Sequence, residues 1–184
     1  MFLSDKVIFI HNPKVAGRSV RQALCNTYGG GRYGIGSSRF KIKYDHVHRV
    51  SVHSFASRVA LHPRVRPLWG QAYKFGVVRN PWERAANMWF FCRNTFTPDG
   101  LSYFEHGLRL QHPTMPVSKV RHRCAVCVHR GFTYWLTDFC PKWKWSPWEY
   151  LGYDGDAGFF DSCQMDWFMN ARGELLVDDL FLRS

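Results

Sequence analysis

"VIFIHNPKVAGRSV", residues 7–20, decides the fold. Val7 to Ile10 is a short β-branched and aromatic run, which predicts a buried strand over Lys6–His11. Asn12-Pro13 breaks it. Lys14, Gly17 and Ser19 follow, and Val20 and Leu24 then recur at helical spacing, which predicts a helix over 17–27. A strand, a tight loop and a helix start are therefore expected. Helix N-termini carry unpaired N–H groups and the positive end of the dipole, a ready anion site. Gly17 allows a close backbone approach, Lys14 supplies a mobile positive charge and Ser19 a hydroxyl, so the loop is expected to hold a phosphate. The usual nucleoside-triphosphate loop, G-x-x-x-x-G-K-[ST], is different. There the lysine follows the second glycine and the next hydroxyl binds magnesium, whereas here Lys14 precedes Gly17.

A second strand–turn–helix lies at "YKFGVVRNPWERAANMW", residues 73–89. Tyr73–Val78 reads as a buried strand, and Asn80, Pro81 and Glu83 read as N-cap, N1 and N3 of a helix reaching about Arg93. Arg79 falls at the carboxyl end of the strand, where open α/β sheets bind ligands. Asn87 lies two turns into the helix. Elsewhere, residues 53–62 are helical in period and stop at Pro63, and Leu101–Leu110 reads as helical. Residues 29–39 form a glycine-rich loop, and the end of the chain reads as a helix end, a turn at Arg172-Gly173 and a strand. Buried strands alternating with helices predict one α/β domain over 1–184 with a mostly parallel central sheet flanked by helices.

The 184 residues carry 25 Lys and Arg against 14 Asp and Glu, a net charge of +11, with nine histidines besides. That balance favours an anionic partner: a nucleotide, an acidic glycan, nucleic acid or a membrane surface. With 46% hydrophobic and 17% aromatic residues the chain should fold. No apolar run approaches the ~20 residues of a transmembrane span. No signal peptide is visible, which leads to an expected cytoplasmic location. The six cysteines are irregularly spaced, against a disulfide framework. Cys124 and Cys127, flanked by His122 and His129 with Cys140 beyond, resemble half of a zinc site, but a lone C-x-x-C is a weak signal and free thiols or a disulfide is the favoured reading. Residues 140–150 interleave Trp143, Trp145, Trp148 and Tyr150 with Lys142 and Lys144, either an irregular aromatic core or a stacking surface for sugars or bases.

"FIHNPKVAGRS" followed by "FGVVRNPWERAANMW" resembles the phosphate-binding pair of sulfotransferases that use 3′-phosphoadenosine 5′-phosphosulfate (PAPS), and most closely their carbohydrate branch. The likeness extends to "HSFASRV" and to the C-terminal "QMDWFMNARGELLVDDLFLR", with a divergent middle at about 112–160. The resemblance implies a P-loop-like three-layer fold that moves a sulfuryl group from PAPS to a hydroxyl acceptor, a glycan in that branch, with no metal required. It implies that Lys14, Val15, Ala16, Gly17, Arg18, Ser19 and Val20 wrap the 5′-phosphosulfate and that Arg79 and Asn87 hold the 3′-phosphate. Three positions depart from the pattern: Val15 and Arg18 stand where relatives carry Thr, and Asn87 where they carry Ser. An arginine can replace a hydroxyl with a stronger cation, and an amide still donates a hydrogen bond. Relatives usually continue past the position of Ser184 with an acidic residue and a further helix, so the resemblance implies a minimal viral or bacterial form, or a fragment.

The acceptor hydroxyl needs a base, and a neutral imidazole with a pKa near 7 suits the task. His53 stands where the resemblance places a histidine ahead of the helix leading to the second strand; His48 is the second candidate. Two other classes compete. A P-loop-type kinase would need the missing lysine spacing and magnesium ligand. A basic nucleic-acid-binding domain would bind through charge without needing the geometry of Lys14; the paired loops argue against nucleic acid as the partner.

Overall fold

A computed structural model describes residues 1–29, 53–95, 130–139 and 163–183. Outside them lie His48, the expected helix 101–110, the Cys124/Cys127 cluster, the Trp- and Lys-rich stretch 140–150 and all but the first residue of the glycine-rich loop. The chain divides into two compact units. The first holds Met1–Asn80, Gly152–Asp154 and Ser162–Ser184; the second holds Pro81–Leu151 and Gly155–Asp161.

The first unit is built on one mixed sheet with strand order β1 (Phe2–Leu3), β2 (Val7–Ile10), β3 (Tyr73–Arg79), β4 (Asp179–Arg183). β1 runs antiparallel to β2, whereas β2–β3 and β3–β4 are parallel. Helices α1 (Gly17–Tyr28), α2 (Ala56–Leu61) and α3 (Arg66–Trp69) lie between β2 and β3 in the chain. The protein is thus an α/β structure, and among the described residues two of the three strand pairings are parallel.

Successive strand residues face opposite sides of a sheet, and in β2 both sides are covered. Ile8 and Ile10 pack with Ala56 and Val59 of α2 and with Val65, Ala72, Trp167, Phe168 and Val177. Phe9 points the other way, into a cluster with Phe2, Val15, Cys25 and Val77, against which Val20 and Leu24 of α1 rest. Burial on both faces is why residues 7–10 read as an uninterrupted apolar run rather than an alternating one. At Gly76 in β3 an added Cβ would lie 2.1 Å from the Phe168 ring, so the strand tolerates only glycine there without a shift.

β1 and α3 have no counterpart in the sequence reading. Two and four residues are too short to display a period. β1 is instead held by a turn in which Ser4 Oγ accepts from the Val7 N–H at 2.9 Å. In the second unit α4 (Pro81–Thr95) begins at the expected N1 proline. Trp89 packs its ring edge-on to Phe132 and tilted to Trp135, both at 6.1 Å, and a π-helical turn spans Trp135–Phe139. Among the described residues, no helix is long and apolar enough to cross a membrane.

Candidate functional site

The carboxyl ends of β2, β3 and β4 come together where the chain enters α1. Leaving β2, the backbone adopts left-handed geometry at two non-glycine residues, Lys14 (φ 64°) and Ala16 (φ 69°). Each such residue costs about 1–3 kcal/mol, and strain of this kind persists only where surrounding packing enforces it. Here Val15, fully buried among Phe2, Phe9, Cys25 and Val77, is the anchor between the two strained residues. The valine at a position where the resemblance expects threonine therefore belongs to the core. Ala16 is the N-cap of α1, and its carbonyl accepts from the Ser19 N–H at 2.9 Å and the Val20 N–H at 3.3 Å. Turns of this type gather N–H groups into concave nests that receive anions. Arg18 and Ser19 are exposed on the first turn, and Lys14 is half-buried.

Gly17 has a role in packing that the spacing did not reveal. A Cβ there would fall 1.9 Å from Cδ2 and 2.0 Å from Nε2 of His11, so the imidazole occupies the space a side chain would need. His11 is itself buried, stacked on Phe9 at 5.6 Å and tilted against His53 at 4.2 Å. His53 sits in the turn ahead of α2, and its Nδ1–H donates to the His11 carbonyl at 3.0 Å. That bond sets the tautomer and leaves the ring's lone pair on Nε2. The loop, His11 and the candidate base thus form one continuous stack.

Both rings are held neutral. Burial, followed by the neighbouring His53 ring and other positive charges including Arg21 and Lys14, keeps His11 well below the usual histidine range. Burial is also the main cause at His53, with Lys14 and Arg21 adding to it, and brings that ring down to about 3. This is well under the value near 7 expected of a base on sequence grounds, and the reason is the positive, apolar setting that motif spacing does not convey.

Arg79 closes β3 as expected. Its main chain is gripped by Gln164, whose Oε1 accepts from the Arg79 N–H at 2.9 Å and whose Nε2 donates to the Arg79 carbonyl at 2.7 Å. Gln164 Oε1 also accepts from Asn12 Nδ2 at 3.3 Å. One amide therefore joins the end of β2 to the end of β3, extending the sheet by a side chain. Two buried atoms at this edge, His11 Nδ1 and Asn12 Oδ1, have no hydrogen-bond partner among the described residues. Neither Gln164, Asn12 nor His11 stood out in the sequence. The only local signal was that His11 and Asn12 are polar residues placed directly after a fully apolar strand.

A groove of about 470 Å³ opens beside the loop, lined by Val15, Ala16, Ser19 and Val20, by Val77 of β3 and by Phe181, Leu182 and Arg183 of β4. Its walls are apolar, with a helix N-terminus and one guanidinium at the rim. Of the residues expected to bind the nucleotide, Lys14–Val20 and Arg79 lie in the first unit with His53, whereas Asn87 is on α4 in the second. There its Nδ2 donates to the Glu83 carbonyl at 2.8 Å. Among the described residues, no group of three or more His, Cys, Asp or Glu gathers as metal ligands. No family model, no curated protein and no solved structure matches the chain.

Proposed function

We propose that the chain is a PAPS-dependent sulfotransferase with a P-loop-like fold, transferring a sulfuryl group to a hydroxyl acceptor of the carbohydrate class. The observation that carries this reading is the strained loop at the carboxyl end of a buried parallel strand. Lys14 and Ala16 are left-handed, α1 starts at once, and Arg79 ends the adjacent parallel strand. Left-handed residues in a turn ahead of a helix favour gathering backbone N–H groups into a concave nest, which is what a phosphate or sulfate needs.

In the reaction the acceptor oxygen attacks sulfur in line, forming one S–O bond as the bond to the 5′-phosphate oxygen breaks. The acceptor proton passes to the His53 Nε2 lone pair, and the leaving bisphosphate keeps the electron pair. Lys14 and the α1 N-terminus stabilise that growing charge. A ring with a conjugate acid near 3 is a weak base at neutral pH. An anion bound at Lys14 offsets one of the charges that lower it and raises its proton affinity, which links base strength to donor binding.

Calorimetry with adenosine 3′,5′-bisphosphate and with ATP, each with and without magnesium and chelator, tests the proposal. Binding of the bisphosphate unaffected by chelator is expected. Tight binding of magnesium–ATP with none of the bisphosphate would replace it with the kinase reading.

A further inference from the structure

Val77 and Phe181 are register partners across β3 and β4, and both line the groove. Two residues further on, and so on the same face, Arg79 is the register partner of Arg183. Adjacent strands are about 4.8 Å apart, so Arg79 and Arg183 leave the same face of the sheet at neighbouring positions, with Arg183 at the rim of the groove. Like charges directly opposite one another on a sheet repel, and an anion shared between them turns that cost into binding. Arg183 is exposed and lines the groove together with Ser19 and Ala16 at the start of α1.

We infer that Arg183 is a specificity-determining residue that pairs with Arg79 to select a nucleotide bearing an additional phosphate dianion over one lacking it. The inference rests on the nucleotide reading proposed above and adds a residue to it. An arginine fork can give two parallel N–H bonds to phosphate oxygens while its neighbour takes the third, an arrangement that a lysine point charge does not reproduce. The apolar walls of Val15, Val20, Val77 and Phe181 suit the nucleoside body and leave the charged end to the two arginines.

The test is titration calorimetry of the wild type, R183Q and R183K with adenosine 3′,5′-bisphosphate and with adenosine 5′-monophosphate. Melting curves recorded alongside check the fold; the residue is exposed on an outer strand of the described sheet, and R183K keeps the charge while losing the fork. In R183Q the bisphosphate should bind roughly 10–100-fold more weakly, the scale of a charge-assisted hydrogen bond, and the monophosphate within about threefold of wild type. R183K should fall between. If the wild type itself fails to bind the bisphosphate, the nucleotide reading falls and this inference with it. If the wild type binds but R183Q weakens both ligands by the same factor, or neither, the selectivity role of Arg183 alone is overturned.

Discussion

Replacing Gly17 by alanine separates two explanations of that glycine by the sign of the effect. Gly17 is not among the residues with positive φ, so its backbone suits any L-residue. On backbone grounds alone Gly17→Ala should stabilise the protein by about 0.4–1 kcal/mol, because alanine has fewer unfolded conformations to lose. The packing predicts the opposite. The new Cβ would sit 1.9–2.0 Å from two ring atoms of His11. His11 cannot swing away cheaply, being stacked on Phe9 and wedged against His53. Overpacking of this kind costs about 1–3 kcal/mol. In a chain of this size that lowers the melting temperature by roughly 2–4 °C for each kcal/mol. Removing the ring should remove the penalty: in a His11→Ala background, Gly17→Ala should be neutral or stabilising. The double-mutant cycle should therefore show a coupling of about 1.5–4 kcal/mol. Urea unfolding of the four proteins measures it. A Gly17→Ala protein as stable as wild type, or an equal penalty in both backgrounds, would refute the claim that His11 fills the glycine's side-chain space.

Acid should destabilise the fold through the histidine pair. Both rings are held below the 6.5 of an unfolded histidine, so the unfolded chain takes up protons first and stability falls as pH drops from about 6.5 toward 3. Between pH 7.5 and 5.5 the loss from His53 approaches about 1.4 kcal/mol, with His11 adding in the same direction, and urea midpoints that stay flat across this interval would show that the rings are not held neutral. Gln164→Leu removes both bonds to the Arg79 main chain and should cost about 1–3 kcal/mol, read by chemical denaturation, with a larger relative loss of bisphosphate affinity than the stability change explains. Lys14→Ala should lower the turnover number of sulfuryl transfer more than it weakens ground-state PAPS binding, because charge on the leaving oxygen peaks in the transition state; a rise in KM alone would make Lys14 only a binding residue.

The legible parts of the fold were those with local causes. Val7–Ile10 announced a strand because both of its faces are buried, and Asn80-Pro81 announced α4 because a proline at N1 acts within a single turn. Loop, helix and the strand-end arginine followed from spacing. What escaped depends on residues far apart in the chain. The grip of Gln164 on Arg79 spans 85 residues and its contact with Asn12 spans 152, and no window of sequence contains both partners. At Gly17 the spacing pointed to a ligand and gave no hint of a second constraint, the His11 ring that fills the space a Cβ would need. The position of His53 ahead of a helix was legible, but its proton affinity was not, since burial and surrounding charge, not residue type, lower it.

The Gln164 link also bears on the order in which the molecule is made. A nascent chain that has emerged only through Thr95 already contains β2, β3 and the strained loop, yet β3 still presents an open edge and the carboxyl end of the sheet has no amide to tie it. Gln164 arrives about 70 residues later and β4 more than 80, and at 5–20 residues per second that delay is on the order of several seconds. Throughout that interval the apolar edge Tyr73–Val78 is open to pairing with another strand. Slow translation of the intervening residues should therefore favour aggregation, and a protease present during synthesis should find the β3 end cleavable until Gln164 and β4 have emerged.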